Sequence, residues 1–180
     1  MARLLTIGLS AHWFIFWLFN GLDKIFKGQD FGIFVWKGKD RTNQFSGYLE
    51  GLAWPVELFQ PLMMFLFVVE IFVALAFLRV IIKIVKHRSV RRFMPQEYLK
   101  LPILMSFVVF TCFSAWDVVV GDRAELWEHG TFIIALGTTW IIASFESVLD
   151  VIPQSQYNGP EKRSASMTDR RLPVEVPAGE

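Results

Sequence analysis

One carboxylic acid stands alone inside an apolar run: Glu70 in "LMMFLFVVEIFVALAFL". Placing a charge at the centre of a bilayer costs ~2.5–3.5 kcal/mol on insertion scales. Glu70 must therefore be protonated, paired with a cation, or in contact with a wet cavity. One interpretation is a carboxylate that handles protons or binds a ligand. The other is a structural tie between two helices, and the sequence leaves both open.

A basic partner for this acid follows the first apolar run, in "LFNGLDKIF". Asn20 and Lys24 lie on one helix face because they are four residues apart. At a rise of 1.5 Å per residue, Lys24 comes closest to Glu70 in depth if its side chain reaches inward. We therefore expect a Lys24–Glu70 pair with Asn20 as a third polar wall. Asp23 and Lys24 taken alone would more simply mark a helix end at the membrane surface.

Two further polar residues lie near the ends of later apolar runs, on the side of the membrane where Lys24 is expected. Asp117 ends one run and His129 begins the next. Their simpler interpretation is exposure to solvent at the interface. Together, six polar or ionisable residues are predicted to converge on the outer half of the protein: Asn20, Asp23, Lys24, Glu70, Asp117 and His129. No catalytic role can be assigned to any of them from the sequence.

Metal and haem binding are not predicted. The chain has three histidines and one cysteine, and His12 and His129 are expected ~20 Å apart along the membrane normal. No metal-ligand spacing, CxxC motif, nucleotide-binding loop or catalytic triad is evident. His12 and Glu146 are expected at a similar depth, about a third of the way in from the cytoplasmic side, which would allow them to pair.

The elements that must position these residues are membrane-spanning helices. Of the 180 residues, 53% are hydrophobic, and the mean hydropathy is +0.41. A bilayer core requires about 20 apolar residues in a helix, and lipid cannot satisfy the backbone groups of an open strand. We predict an all-α, integral membrane four-helix bundle in residues 1–152, followed by a polar, disordered cytoplasmic tail in 153–180. The four predicted spans are about 4–22, 61–82, 101–120 and 129–149.

The distribution of Lys and Arg predicts the orientation. Residues 79–100 hold seven basic residues and one acid, whereas residues 117–130 hold one basic residue and four acids. The first segment is therefore expected in the cytoplasm, with both termini, and the second outside. Trp54, Trp116 and Trp127 then all fall at the outer surface, as an aromatic belt does. These features are typical of a multi-pass protein of the bacterial inner membrane.

The long first loop, residues 23–60, is expected outside and contains a predicted surface helix in "RTNQFSGYLEGLAWPVELF". Thr42 or Asn43 can cap its start. Four apolar or aromatic residues share one face by their i, i+3, i+4 spacing and are expected to lie in the outer membrane interface. These residues are Phe45, Tyr48, Leu49 and Leu52.

Three tryptophans, Trp13, Trp17 and Trp140, lie in the middle of predicted spans. Packing is their simpler interpretation. They could also flank a flat aromatic ring such as a quinone head group, which needs an apolar slot and one or two polar groups.

The chain resembles the DoxX family of small four-helix membrane proteins over residues 5–149. The matching features are "FNGLDKIF", with the Gly-x-x-Lys of the family at Gly21 and Lys24, the segment "FLFVVEIFVALAFL" around Glu70, and "WEHGTFIIALG" at the start of the fourth span. The first loop is long, and the double glycine that often follows the Glu is absent. The resemblance implies a role for Lys24 and Glu70 and, in some members, association with quinone-linked oxidation.

Three functions remain open at this stage. The first is a DoxX-like subunit associated with quinone-linked redox chemistry. The second is a non-catalytic accessory or assembly protein of a membrane complex. The third is a small transporter, although such proteins usually show more spans, inverted repeats or broken helices. No cofactor other than a quinone is suggested. The expected partners are the lipid bilayer and either another membrane protein or a second copy of the chain; no basic stripe indicates nucleic acid.

Overall fold

The computed structural model describes residues 3–39, 41–86 and 95–157. Within these ranges all the regular secondary structure is helical, and no strand forms beyond an isolated bridge between Asp30 and Val35. The all-α prediction is therefore confirmed. The helices are α1 (Leu4–Phe26), α2 (Thr42–Gly51), α3 (Phe59–Lys86), α4 (Pro95–Val120) and α5 (Arg123–Tyr157), with a single 3-10 turn, Val56–Leu58, directly before α3.

Four of the helices are long and apolar enough to cross a membrane, which makes the chain a multi-pass membrane protein. Their candidate spans are Leu4–Phe26, Val56–Lys86, Gln96–Val120 and Arg123–Leu149. Each of these is longer than the span predicted from apolar runs. The reason is that a helix continues through its charged terminal turns, where long side chains can reach water while the backbone stays hydrogen-bonded.

The long helices pack through their apolar faces. Helix α1 lies against α3 and α5, and α4 lies against α5 and α3. Their shared core contains the fully buried aromatic residues Trp13, Trp17, Phe77 and Phe110. Trp13 also donates its indole N–H to Thr139 Oγ1 at 2.9 Å. Packing is thus confirmed as the role of Trp13 and Trp17, and Trp140 packs against the same core.

Helix α2 is shorter than the predicted surface helix. It begins at Thr42 with Arg41 in the N-cap position and has no side-chain capping bond, so the predicted caps are wrong. It ends at Gly51 because Ala53 takes a positive φ of 54°, a conformation outside the right-handed helical region. The face that carries Phe45 and Leu49 is turned toward protein, and Leu49 is fully buried.

Helix α5 continues to Tyr157, five residues into the segment predicted as the tail. Each residue added to an existing helix gains one hydrogen bond without a new nucleation cost. A helix can therefore extend into a polar segment. The remaining tail, 158–180, lies outside the described residues, as do residues 87–94 of the basic segment.

Candidate functional site

A pocket of about 220 Å³ opens where α1 and α4 end and α3 and α5 begin. We call this end of the protein the pocket end. The polar residues that line the pocket are Lys24, Arg41, Gln44, Tyr48, Glu70, Asp117, Glu125 and His129. The apolar lining residues are Phe45, Trp54, Leu62, Leu66, Cys112, Phe113 and Trp116. The pocket therefore combines apolar walls with ionisable groups.

The deepest polar contact in the pocket is the pair formed by Lys24 and Glu70. Lys24 Nζ lies 2.5 Å from Glu70 Oε2, and the two side chains are only 5% and 4% exposed. Lys24 Nζ also donates to the backbone carbonyl of Asn20 at 3.2 Å. The predicted pair is confirmed. Mutual attraction and these hydrogen bonds offset part of the desolvation cost that either charge alone would carry.

Gly21 explains how Lys24 comes within reach of Glu70. A Cβ atom at Gly21 would lie 2.9 Å from Ile71 Cδ1 and 3.6 Å from Glu70 Cβ. Glycine therefore allows α1 and α3 to approach closely beside the acid. The spacing from Gly21 to Lys24 then places the lysine about one helical turn further along α1, where its side chain can bond to the carboxylate.

A second acid–base pair lines the same pocket. His129 Nδ1 lies 2.6 Å from Asp117 Oδ2, and the side chains are 13% and 5% exposed. The imidazole also packs near the ring of Phe113, with 5.1 Å between centroids. Exposure to solvent at the interface is therefore the wrong interpretation for these two residues. The turn between α4 and α5 is short, so the end of one helix and the start of the next face each other.

Two of the six predicted site residues do not line the pocket. Asn20 donates its amide to the carbonyl of Phe16 at 2.9 Å, so the prediction of a third polar wall is wrong. An asparagine inside an apolar helix can satisfy itself in this way, one turn back along its own backbone. Asp23 instead accepts hydrogen bonds from Trp36 Nε1 at 2.8 Å and from the backbone N–H of Lys39 at 3.0 Å. It fixes the loop that follows α1.

A polar network that sequence reasoning missed joins α2 to the start of α5. Tyr48 donates its hydroxyl to Asp122, and Gln44 Nε2 lies 3.2 Å from Glu125 Oε1. Lys39 forms an ion pair with the same Glu125. These contacts hold α2 over the mouth of the pocket. These hydrogen bonds and ion pairs join residues about 80 positions apart. A sequence pattern within one helix or loop cannot predict such a contact.

Asp122 also caps α5, and this feature could have been found. Its Oδ1 accepts the backbone N–H groups of Ala124 and Glu125, each at 3.0 Å. An acid followed three residues later by Glu is a helix-start signature. The hydrogen bond from Tyr48 and that from the backbone of Glu125 lower the pKa of Asp122. Burial, reinforced by the bond to Asp122, raises the pKa of Tyr48.

The tryptophans of the predicted aromatic belt have different surroundings. Trp127 is 80% exposed, whereas Trp54 and Trp116 line the pocket with their rings 5.8 Å apart. The indole N–H of Trp116 is buried and has no hydrogen-bond partner in the part of the chain that the structure describes. The ring of Trp116 thus forms part of the pocket wall, whereas its N–H group has no surface accessible from the pocket.

At the opposite end of the helices, Glu146 has a role different from the predicted pairing with His12. It accepts the backbone N–H groups of Leu5 and Thr6 at 3.0 and 2.9 Å, and the Thr6 hydroxyl at 2.5 Å. The prediction is wrong because the free N–H groups at the start of a helix attract a carboxylate. His12 is exposed and packs edge-on against the ring of Trp13.

The arrangement at the pocket end can donate hydrogen bonds to an oxygen atom of a ligand and can exchange protons with it. In residues 3–39, 41–86 and 95–157, no group of three or more His, Cys, Asp or Glu side chains is placed to hold a metal ion. Comparison of the chain with protein-family models, with curated proteins and with solved structures finds no match.

Proposed function

We propose that the chain is a DoxX-like four-helix bundle of the bacterial inner membrane whose pocket binds a quinone head group. In this proposal the protein is a subunit associated with quinone-linked redox chemistry. The observation that supports it most directly is the presence of two buried acid–base pairs, Lys24–Glu70 and Asp117–His129, in one apolar-walled pocket.

The pocket offers what the reduction of a quinone requires of a protein. Conversion of a quinone to a quinol consumes two electrons and two protons, and the protons are added to the two carbonyl oxygens. Lys24 and His129 are hydrogen-bond donors in the pocket lining. Glu70 and Asp117 can supply or return protons. The electrons must come from a redox partner protein, which fits a subunit rather than an independent enzyme.

The sequence resemblance agrees with this assignment. The residues that match the Gly-x-x-Lys and Glu features of the DoxX family are Gly21, Lys24 and Glu70. In the structure these three residues form one contact between α1 and α3. Some members of the family are associated with quinone-linked oxidation, and the same function is proposed for this pocket.

We further propose that the pocket end faces the outside of the cell. The basic segment at 79–100 favours a cytoplasmic location for the opposite end and for both termini. Helix α2, with Gln44 and Tyr48 over the pocket mouth, then lies in the outer membrane interface. A quinone would enter sideways from the outer leaflet, between the apolar residues of the pocket wall.

The quinone content of the purified protein tests the proposal. Protein purified in mild detergent is extracted with organic solvent, and quinone is quantified per mole of protein against a lipid-only extract. We expect enrichment of quinone in the wild type and its loss in Trp116→Ala, which removes a pocket wall. Trp127→Ala is the matched control, because this tryptophan is 80% exposed and outside the pocket lining. Equal quinone in protein and lipid extracts would contradict the proposal.

A second candidate is the accessory or assembly role, in which the polar residues only fix the helices. It is favoured by the completeness of the pairing, because Lys24 binds both Glu70 and the carbonyl of Asn20. In that case the partner is another membrane protein or a second copy of the chain, and the pocket has no ligand. Replacement of the charged pair by apolar residues of similar size would then leave partner binding intact.

A further inference from the structure

The loop between α1 and α2 forms a short hairpin with an apolar tip. Gly28 N–H donates to the carbonyl of Trp36 at 2.7 Å, and Trp36 N–H donates to the carbonyl of Gln29 at 2.9 Å. Gly32, at the turn, has a positive φ of 79°. Four large apolar side chains stand out from this hairpin, 42%, 90%, 50% and 49% exposed: Phe31, Ile33, Phe34 and Val35.

The hairpin lies alongside α1 and does not project away from its end. The ring of Trp36 stacks on that of Phe19 with 5.5 Å between centroids, and the ring of Phe31 contacts that of Phe26 at 5.5 Å. Phe19 precedes the last residue of α1, Phe26, by about 10 Å of helix. Part of the hairpin therefore lies level with a helix segment that is itself apolar enough to span a membrane.

Contacts at the base fix the hairpin in this position. Asp23 accepts hydrogen bonds from both Trp36 Nε1 and the backbone of Lys39. The backbone at Gly38 has a φ of 50° and runs so close to Asp23 that an added Cβ would lie 2.0 Å from Oδ1. The orientation of the apolar tip is thus set by contacts with α1.

The surface that the tip joins is the exposed apolar side of α1. Ile15 is 50% exposed and Phe19 is 51% exposed, and their i, i+4 spacing places both on a side of α1 that the other helices leave uncovered. The charged residues Asp30 and Lys37 flank the tip. An apolar, aromatic tip bounded by charges is typical of segments that lie at the boundary between head groups and acyl chains.

We propose that residues 31–35 are a lipid anchor that inserts into the membrane leaflet at the pocket end. The lipid bilayer itself covers this apolar tip, because the tip continues the uncovered side of a membrane-spanning helix. The anchor fixes the depth of the end of α1, and hence that of Lys24, relative to the lipid. The inference is independent of any ligand in the pocket and of which end faces the cell exterior.

Spin-label accessibility in lipid nanodiscs tests the anchor. Cys112 is the single cysteine of the chain, so the background is Cys112→Ser, and a nitroxide is attached through Ile33→Cys. Collision rates are measured with oxygen, which concentrates in lipid, and with a water-soluble nickel chelate. The references are Ile15→Cys on the exposed side of α1 and Glu50→Cys on α2. Thermal unfolding must match the background protein, and Val35→Cys is the substitute position if Ile33→Cys fails to fold.

We expect the label at Ile33 to resemble that at Ile15, with an oxygen-to-nickel ratio several-fold above that at Glu50. A ratio equal to that at Glu50 would place the tip in water and overturn the proposal. Exclusion of both reagents, together with dipolar broadening between labels, would instead show that a second copy of the chain covers the tip, and would overturn it equally.

Discussion

The middle of the helix assembly and its pocket end use their buried space differently. Around Trp13, Trp17, Phe77 and Phe110, interlocking aromatic rings fill the space between the helices. At the pocket end, the same helices enclose about 220 Å³ that side chains leave open, and ionisable groups line it. Polar groups are costly in a membrane protein, and two acid–base pairs, Lys24–Glu70 and Asp117–His129, line this pocket. This contrast favours a stabilising role for the aromatic region and a ligand-binding role for the pocket.

The largest expected effect is in the aromatic region. Trp17 is 1% exposed and packs on Phe110 with 4.7 Å between ring centroids. Trp17→Ala should lower the free energy of unfolding by ~3–5 kcal/mol, the usual range for a large aromatic residue removed from a core. Reversible unfolding in mixed micelles measures the change, with the lipid-facing Ile15→Ala as control. If Trp17→Ala lowers the free energy of unfolding no more than Ile15→Ala does, the aromatic region does not have the stabilising role assigned to it.

The next largest effect is expected at the Lys24–Glu70 pair. Lys24→Ala strands a buried carboxylate and should destabilise by ~3 kcal/mol, the low end for broken buried pairs, since Glu70 can protonate. Glu70→Gln should cost less because an amide can still hydrogen-bond. A double-mutant cycle measures the coupling free energy of the pair. Coupling below ~0.5 kcal/mol is the level of residues that do not touch and would be incompatible with the contact between Lys24 and Glu70.

A smaller effect is expected at Gly38, where the loop after α1 meets Asp23. Gly38→Ala should destabilise by about 1–3 kcal/mol, because it adds an unfavourable positive φ and a clash with Asp23. Gly32→Ala is the matched control, since Gly32 also has a positive φ but its added Cβ would meet no atom within 4 Å. Equal losses in the two variants would show that the contact with Asp23 contributes nothing.

The smallest effect concerns pH and the network between α2 and α5. The hydrogen bond from Tyr48 lowers the pKa of Asp122 in the folded protein. The stabilisation of the folded protein by ionised Asp122 is therefore complete above the pKa that Asp has in the unfolded chain, about 3.9. This stabilisation is lost as the pH falls through the lower pKa of Asp122 in the folded protein. Tyr48→Phe should reduce the acid-dependent loss of stability below about pH 4. This difference is measured from the unfolding midpoints of both proteins between pH 7 and 3. Identical pH profiles would show that the hydrogen bond between Tyr48 and Asp122 does not stabilise the folded protein.

The sequence predicted those features that depend on depth in a membrane. An unpaired charge at Glu70 would be costly in the bilayer, and Lys24 is the basic residue that lies at a matching depth. These two facts are enough to predict the ion pair. The helices themselves follow from their apolar runs, although their ends extend further. These predictions succeed because they depend on one residue and its distance along a helix.

Features that depend on how distant segments meet could not be predicted in the same way. Tyr48 and Gln44 line the pocket because α2 packs over its mouth, and the face of α2 alone suggested contact with lipid. The spacing of Asn20 and Lys24 predicts a third polar wall beside the ion pair, but the amide of Asn20 bonds to its own helix backbone. Glu146 matched His12 in depth, yet the open N–H groups at the start of α1 provide stronger partners. Depth restricts the candidates, and orientation around each helix decides among them.

The most direct test of the central proposal is the equilibrium binding of a short-chain quinone to the protein in nanodiscs. The wild type is compared with the double variant Lys24→Met with Glu70→Leu, and thermal unfolding is measured on the same samples. We predict that the double variant keeps wild-type stability and binds quinone at least about tenfold more weakly, a difference of ~1.4 kcal/mol. Unchanged affinity in a stable double variant would contradict the proposal and would show that the pair only joins α1 to α3.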